Sequence, residues 1–241
     1  MNTMPEERSE LLHDFLNKYD PSHSLSFNSV KFRPGAKRTT GFGIDTTTPQ
    51  YTPLRLHLAI DSARSNTSGY KIFAPFDISK TEYHFDYSSF GTLLFLYTDY
   101  GFHIRIAHIN RDTFGVGSWS RIEKGGGYEA GEFIAECGEV GLSFGRHAHV
   151  EIVSNDNGFT ILDDILKEKF EDLALYKNYT NEQINTQIVN AGIDKKFGWD
   201  LYEKEYRRRR IKIINDYIGF RIDYHTNEDR MFYNSMAVFG I

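Results

Sequence analysis

Three short stretches of the chain hold side chains of the types that can bind metals and move protons. Gly145-Arg146-His147-Ala148-His149-Val150-Glu151-Ile152 sets two histidines two residues apart in a run with strand character. Side chains of a strand alternate between faces. His147, His149 and Glu151 therefore fall on one side, and Ala148, Val150 and Ile152 on the other. Two imidazoles converging from one rigid strand can begin a metal site; the same pair serves equally as two partly buried histidines satisfied by hydrogen bonds. His57-Leu58-Ala59-Ile60-Asp61 sets a histidine and an aspartate four apart, again an even spacing that puts both on one face of an extended segment. Imidazole and carboxylate are ordinary zinc ligands, and a further histidine such as His149 makes a set of three with one position left for water. His108 ends the apolar run Arg105-Ile106-Ala107-His108-Ile109. The single cysteine, Cys137, excludes an intramolecular disulfide and a thiolate zinc cluster, and no basic neighbour activates it, so it reads as a buried inert thiol.

The elements that must hold these side chains are short strands. From Leu25 to Val153, apolar or alternating runs such as Lys71–Ala74, Thr92–Tyr97, Phe102–Ile109 and Glu132–Ala135 are broken by Pro34-Gly35, Tyr100-Gly101 and Gly125-Gly126-Gly127. This predicts an antiparallel all-β domain, with the glycine triplet as a hairpin tip. Before it, Pro5 to Tyr19 predicts a helix with Leu11, Leu12, Phe15 and Leu16 as its apolar stripe, docked on the next domain. After Asn155-Asp156-Asn157-Gly158 the periodicity turns helical. Thr160 caps a helix carrying Ile161, Ile165, Leu166, Phe170 and Leu173. Thr180-Asn181-Glu182-Gln183 opens another, which ends near Gly192. A third runs from about Asp200 towards Gly219, and its four arginines, Arg207 to Arg210, wrap around it as a solvated surface.

Taken together, the motifs resemble those of the lysostaphin or LytM-type zinc peptidases, which cleave peptide cross-links of bacterial cell walls. The family pattern is HxxxD, then a histidine ending a strand, then HxH followed by an aromatic or aliphatic residue and often Glu; all three occur here in that order. Thr40-Gly41-Phe42-Gly43, Ile72-Phe73-Ala74-Pro75 and Ala130-Gly131-Glu132-Phe133-Ile134 with Gly138 and Gly141 match the intervening pieces, so the resemblance covers roughly Lys37 to Val153. Ala59 stands where the family usually has glycine, Ile106 where it often has tyrosine, and Ala148 where leucine is common; none of these removes a ligand. An HxH on a strand also occurs in cupins, but there the glutamate comes further downstream and HxxxD goes unexplained.

Periodicity and resemblance together predict an α+β chain. The helical patterns give an N-terminal helical arm over 1–24 and a helical C-terminal extension over 156–241, which the resemblance does not cover, and the resemblance implies an antiparallel all-β LytM-like peptidase domain over 25–155 between them. The resemblance also implies Zn²⁺ held by His57, Asp61 and His149, with His108 and His147 as a catalytic pair beside it and Tyr51 aiding the oxyanion. The activity implied is that of a zinc metalloendopeptidase on the stem or cross-bridge peptides of peptidoglycan, through a metal-activated water. Loops around Gly41–Gly43, Tyr83–Ser89 and Arg111–Gly127, the last with Trp119, would wall the groove. The alternatives are a non-catalytic structural or binding module on the same fold, and a peptidase for a non-wall protein. His13, His23, His84 and His225 have no partner pattern and read as surface or structural, and His103, at odd spacing from His108, should face away from it.

Composition narrows the rest. The 241 residues are 40% hydrophobic and 25% charged, as in ordinary globular proteins, and a net charge of −5 with pI near 6.0 gives no reason to expect nucleic acid as a partner. The polar, acidic start from Met1 to Glu10 has no secretory core and no run is long enough for a membrane span, which predicts synthesis in a cytoplasm. A wall-acting enzyme of that kind is expected to be phage-encoded, carried in the virion or released by a holin, with a cellular enzyme exported by another route as the alternative. The C-terminal extension would then serve virion, oligomer or wall contacts.

Overall fold

The structure, a computed structural model, describes residues 6–20, 37–40, 43–44, 56–57, 59–63, 71–85, 87–110, 112, 114, 118–143, 145–155, 160–169, 221–224 and 230–233. It has the α+β architecture expected from the sequence, mostly antiparallel strands with a short N-terminal helix. The strands are β1 (Lys37–Thr40), β2 (Gly43–Ile44), β3 (Leu56–His57), β4 (Ile60–Ala63), β5 (Lys71–Phe73), β6 (Lys80–His84), β7 (Leu93–Tyr97), β8 (Phe102–Ala107), β9 (Phe133–Glu136), β10 (Ala148–Ser154), β11 (Arg221–Tyr224) and β12 (Arg230–Tyr233). The helices are α1 (Glu6–Tyr19), α2 (Ser118–Glu123) and α3 (Ile161–Lys169). The main sheet runs β1-β4-β10-β8-β7-β6, while β2 pairs with β3 and β5 with β9 in two small ribbons.

Strand alternation gives the sheet two unlike faces. On one, Val150 lies between Ile60 and Ile106, and Ile152 lies opposite Ile104. These side chains, with Leu94, Leu96 and Phe102, form the floor of the core. The helix α1 lies over that face because its stripe matches it. Phe15 is fully buried among the rings of Tyr19, Phe76, Tyr100 and Phe102, with centroids 4.9–6.3 Å away. Burying each such side chain stabilises the fold by roughly 1.5–3 kcal/mol. Arg8 donates to the Thr160 carbonyl and to Asp164, which ties α1 to α3. As the sequence predicts, Thr160 caps α3: its hydroxyl accepts from the Leu162 N–H at 3.1 Å while Asp163 accepts from the Thr160 N–H at 2.7 Å.

Two segments differ from the sequence reading. Gly125-Gly126-Gly127 is not a hairpin tip but the stop of α2. The Gly126 and Gly125 N–H groups donate to the carbonyls of Arg121 and Ile122, with Gly125 at φ +68°, the left-handed conformation that this helix ending requires. The C-terminal extension contains, beyond α3, the hairpin β11–β12, whose second strand pairs with β10 at Ile152↔Tyr233 and Val153↔Phe232. The polar–apolar alternation of Arg221-Ile222-Asp223-Tyr224 is a strand signal that the helical periodicity upstream obscures. The helices expected from Thr180 and from Asp200 lie outside the described residues. Among the described residues, no helix is long and apolar enough to cross a membrane.

Candidate metal centre

The second face of the sheet carries the chemistry. One row across it reads Asp61, His149, Ala107, Leu93 and His84, each residue opposite the next on a paired strand. The antiparallel register alone therefore sets Asp61 beside His149, from strands far apart in sequence. His57 arrives differently. It ends β3, which pairs with β2 at Gly43, and the chain bends at Ala59 before β4 begins. His57 and Asp61 share the site as the spacing predicts, but across a bend between two sheets rather than along one strand.

The three donor atoms form a tight triangle. His149 Nδ1 is 2.9 Å from Asp61 Oδ1, and His57 Nε2 is 3.3 Å from each of them. Ligands at about 2.0–2.1 Å from a tetrahedral zinc stand about 3.3 Å apart, so two imidazole nitrogens and one carboxylate oxygen at these separations fit that ion in type and in spacing. His57, Asp61 and His149 are a group that could hold a metal ion, with ligand atoms all within 4.8 Å of one another.

The electrostatics point the same way. Burial works against the Asp61 carboxylate, yet the hydrogen bonds from His149 and His57 outweigh it and hold the group well below the usual carboxylate range. Burial likewise opposes charge on His149, but Asp61 and Glu151 together raise its pKa to about 9. In the absence of metal, a proton on His149 thus sits between two carboxylates where a cation is favoured.

His108 and His147 flank this triangle. Their ring centroids are 4.7 Å apart, and that of His108 is 5.9 Å from His149. His108 follows β8 at φ +65°, the one non-glycine residue among those described with a left-handed backbone. That conformation costs about 1–2 kcal/mol, and it breaks the alternation of β8. His108 thereby turns to the site, with Nδ1–H donating to the Val140 carbonyl at 2.8 Å. Burial lowers its pKa to about 4, so it is neutral at neutral pH. His147 precedes β10; its Nδ1 meets the Gly145 carbonyl at 2.8 Å, and Nε2 is 3.8 Å from Asp61. The loop before β10 is pinned by Arg146, which donates to the Cys137 carbonyl at 2.6 Å, and by the His147 N–H on the Gly138 carbonyl at 3.3 Å. Gly138 must lack a side chain, because a Cβ there would come within 2.2 Å of Asn110. Cys137 itself is buried, as expected.

The structure thus brings together His57, Asp61, His149, His108 and His147; Tyr51 lies outside the described residues. His103 corrects the sequence reading. Strand alternation counted from His108 turns it away, but β8 ends at Ala107, and counted from there His103 and Arg105 face the site side with His149 and Glu151. Of the expected groove walls, Trp119 packs against Tyr83, Phe85 and Phe114 at 4.8–5.5 Å.

Among solved structures, the chain is similar to a mutant catalytic domain of the prophage-encoded M23 protein EnpA from Enterococcus faecalis, at 19% identity and TM-score 0.40 over 53% of this chain and 88% of that one. It is similar to the antimicrobial peptidase lysostaphin from Staphylococcus simulans at 19% identity and TM-score 0.39, over 53% of this chain and 45% of that one. A zinc-containing peptidase from Vibrio cholerae matches at 21% identity and TM-score 0.37, over 48% of this chain and 32% of that one. No protein-family model matches the chain, and no curated protein does.

Proposed function

We propose that the chain is a zinc-dependent endopeptidase of the lysostaphin or LytM type, acting on the stem or cross-bridge peptides of bacterial peptidoglycan. The observation that carries this reading is the donor triangle of His57, Asp61 and His149 with two further histidines beside it. A purely structural metal site is closed by four protein ligands, whereas the group of three found among the described residues leaves a position for chemistry. Zinc, when bound, supplies Lewis acidity that polarises a peptide carbonyl and makes water nucleophilic near neutral pH.

The side chains do the rest. Asp61 and the two ligand histidines offer the ion one negative charge and two neutral donors. His108 and His147 each have Nδ1 at a main-chain carbonyl, which places the proton of the neutral ring on Nδ1 and leaves Nε2 as the basic atom. One of the pair takes the proton of the attacking water at Nε2, and the other hydrogen-bonds the oxyanion or the attacking water. The choice of peptidoglycan as substrate is supported by the motif resemblance over Lys37 to Val153.

The test is zinc content together with mass spectrometry of peptides released from purified sacculi. About one zinc per chain and chelator-sensitive release of muropeptides are expected. Zinc without release from sacculi, but with cleavage of a protein panel, would move the substrate away from the wall. Absence of both zinc and hydrolysis would leave a binding module.

A further inference from the structure

Behind His149, the site face of the sheet continues as a chain of polar contacts. His149 Nε2 lies 3.2 Å from Glu151 Oε1, and Glu151 Oε2 lies 3.7 Å from Arg105 Nη1. Arg105 Nε donates to His103 Nε2 at 3.1 Å, which leaves the His103 proton on Nδ1, where it is donated to Asn155 Oδ1 at 2.9 Å. The register builds this line, because Glu151 lies directly opposite Arg105, and His103 follows two residues from Arg105 along β8 on the same face. Glu151 and His103 are 5% and 1% exposed. The guanidinium of Arg105 also lies over the Phe95 ring, 5.3 Å from its centroid.

Such a line is costly. Removing a carboxylate and a guanidinium from water forfeits their hydration, and apolar residues of similar size are often no less stabilising in such a place. Its effect falls on His149. A histidine that offers Nδ1 to a metal carries its proton on Nε2, and a carboxylate held at Nε2 selects that tautomer, fixes the ring and strengthens Nδ1 as a donor. Resting on the zinc reading above, we infer that Glu151 is a positioning residue of the metal centre, held in place by Arg105, which His103 and Phe95 hold in turn.

Full-length metal-free protein titrated with zinc against a chromophoric chelator tests this, at 10 and 25 °C, for the wild type, Glu151→Gln and Arg105→Gln. Zinc binding about 10–100-fold weaker is expected for Glu151→Gln, with a smaller loss in the same direction for Arg105→Gln, at both temperatures. Wild-type affinity in both variants overturns the inference, and so does a loss seen at 25 °C that disappears at 10 °C, which marks a folding defect. A wild type that binds no zinc overturns the zinc reading itself. A measurement without mutation is nitrogen-15 NMR of the zinc-loaded wild type, in which His149 should show a proton on Nε2; a proton on Nδ1 instead overturns the inference.

Discussion

His108 and His147 stand side by side at the candidate metal centre, ring centroids 4.7 Å apart, with the same anchoring: Nδ1 of one is at the Val140 carbonyl, Nδ1 of the other at the Gly145 carbonyl, both at 2.8 Å. Neither belongs to the donor triangle, so the two should be separable from the ligands by experiment. His147→Ala and His108→Ala should each lower hydrolysis by about 10²–10⁴-fold while zinc stays bound. His149→Ala should lose both zinc and activity. Zinc counts by mass spectrometry beside peptide-release rates check this, and equal zinc loss in His147→Ala and His149→Ala would refute the division of labour.

The left-handed backbone of His108 predicts a trade between stability and function. At φ +65° a glycine is at ease and an alanine is not. His108→Gly should therefore be more stable than His108→Ala by about 1 kcal/mol in urea unfolding, although both are inactive. An alanine variant as stable as the glycine variant would show that the strain is not there.

Acid should weaken the metal-free protein through the same residue. Burial takes the His108 pKa down to about 4 from its ordinary 6.5, so the unfolded chain takes up the proton first. The stability gained from a neutral His108 is complete above about pH 6.5 and drains away as the pH falls to about 4. Urea unfolding across this window should show the wild type losing up to about 3 kcal/mol more than His108→Asn, whose side chain tolerates the left-handed backbone. Parallel pH profiles would rule this out.

Zinc uptake should release a proton. In the metal-free protein Asp61 and Glu151 overcome burial and keep His149 protonated up to about pH 9, and an ion bound at Nδ1 requires the neutral ring. Affinity should fall about tenfold for each pH unit below 9. Calorimetry in buffers of different ionisation enthalpy should count about one proton released per zinc. An affinity that does not change between pH 6 and 8 would contradict the assigned ligand.

Much of the site was legible as spacing. HxH and HxxxD name four of the site residues, His147, His149, His57 and Asp61, by residue type and parity, and the register of β10 against β4 then brings His149 to Asp61. The parity argument reached His57 although the chain bends at Ala59 and His57 belongs to a separate ribbon; that its Nε2 still lies 3.3 Å from Asp61 is a tertiary fact that spacing does not contain. Counting alternation through His108 failed, since one left-handed residue resets it. That error hid His103 and Arg105, which continue the line from Glu151. The core-facing strands were legible because Ile104, Ile106, Leu94 and Leu96 alternate with polar or aromatic residues on the site face. The β11–β12 hairpin was not, because its pairing partner β10 is remote in sequence and local pattern carries no record of such contacts.

That hairpin gives β10 two different neighbours on one edge: β4 beside Ala148–Val150 and β12 beside Ile152–Val153. During synthesis, β4, β8 and β10 leave the ribosome well before β12, so the half of β10 that carries His149 can zip up while its other half still shows bare amide and carbonyl groups. An open edge of that kind recruits stray strands from other chains. The late hairpin therefore acts as a clasp on the nascent sheet, and a chain cut short before it should be drawn to aggregate through that open edge.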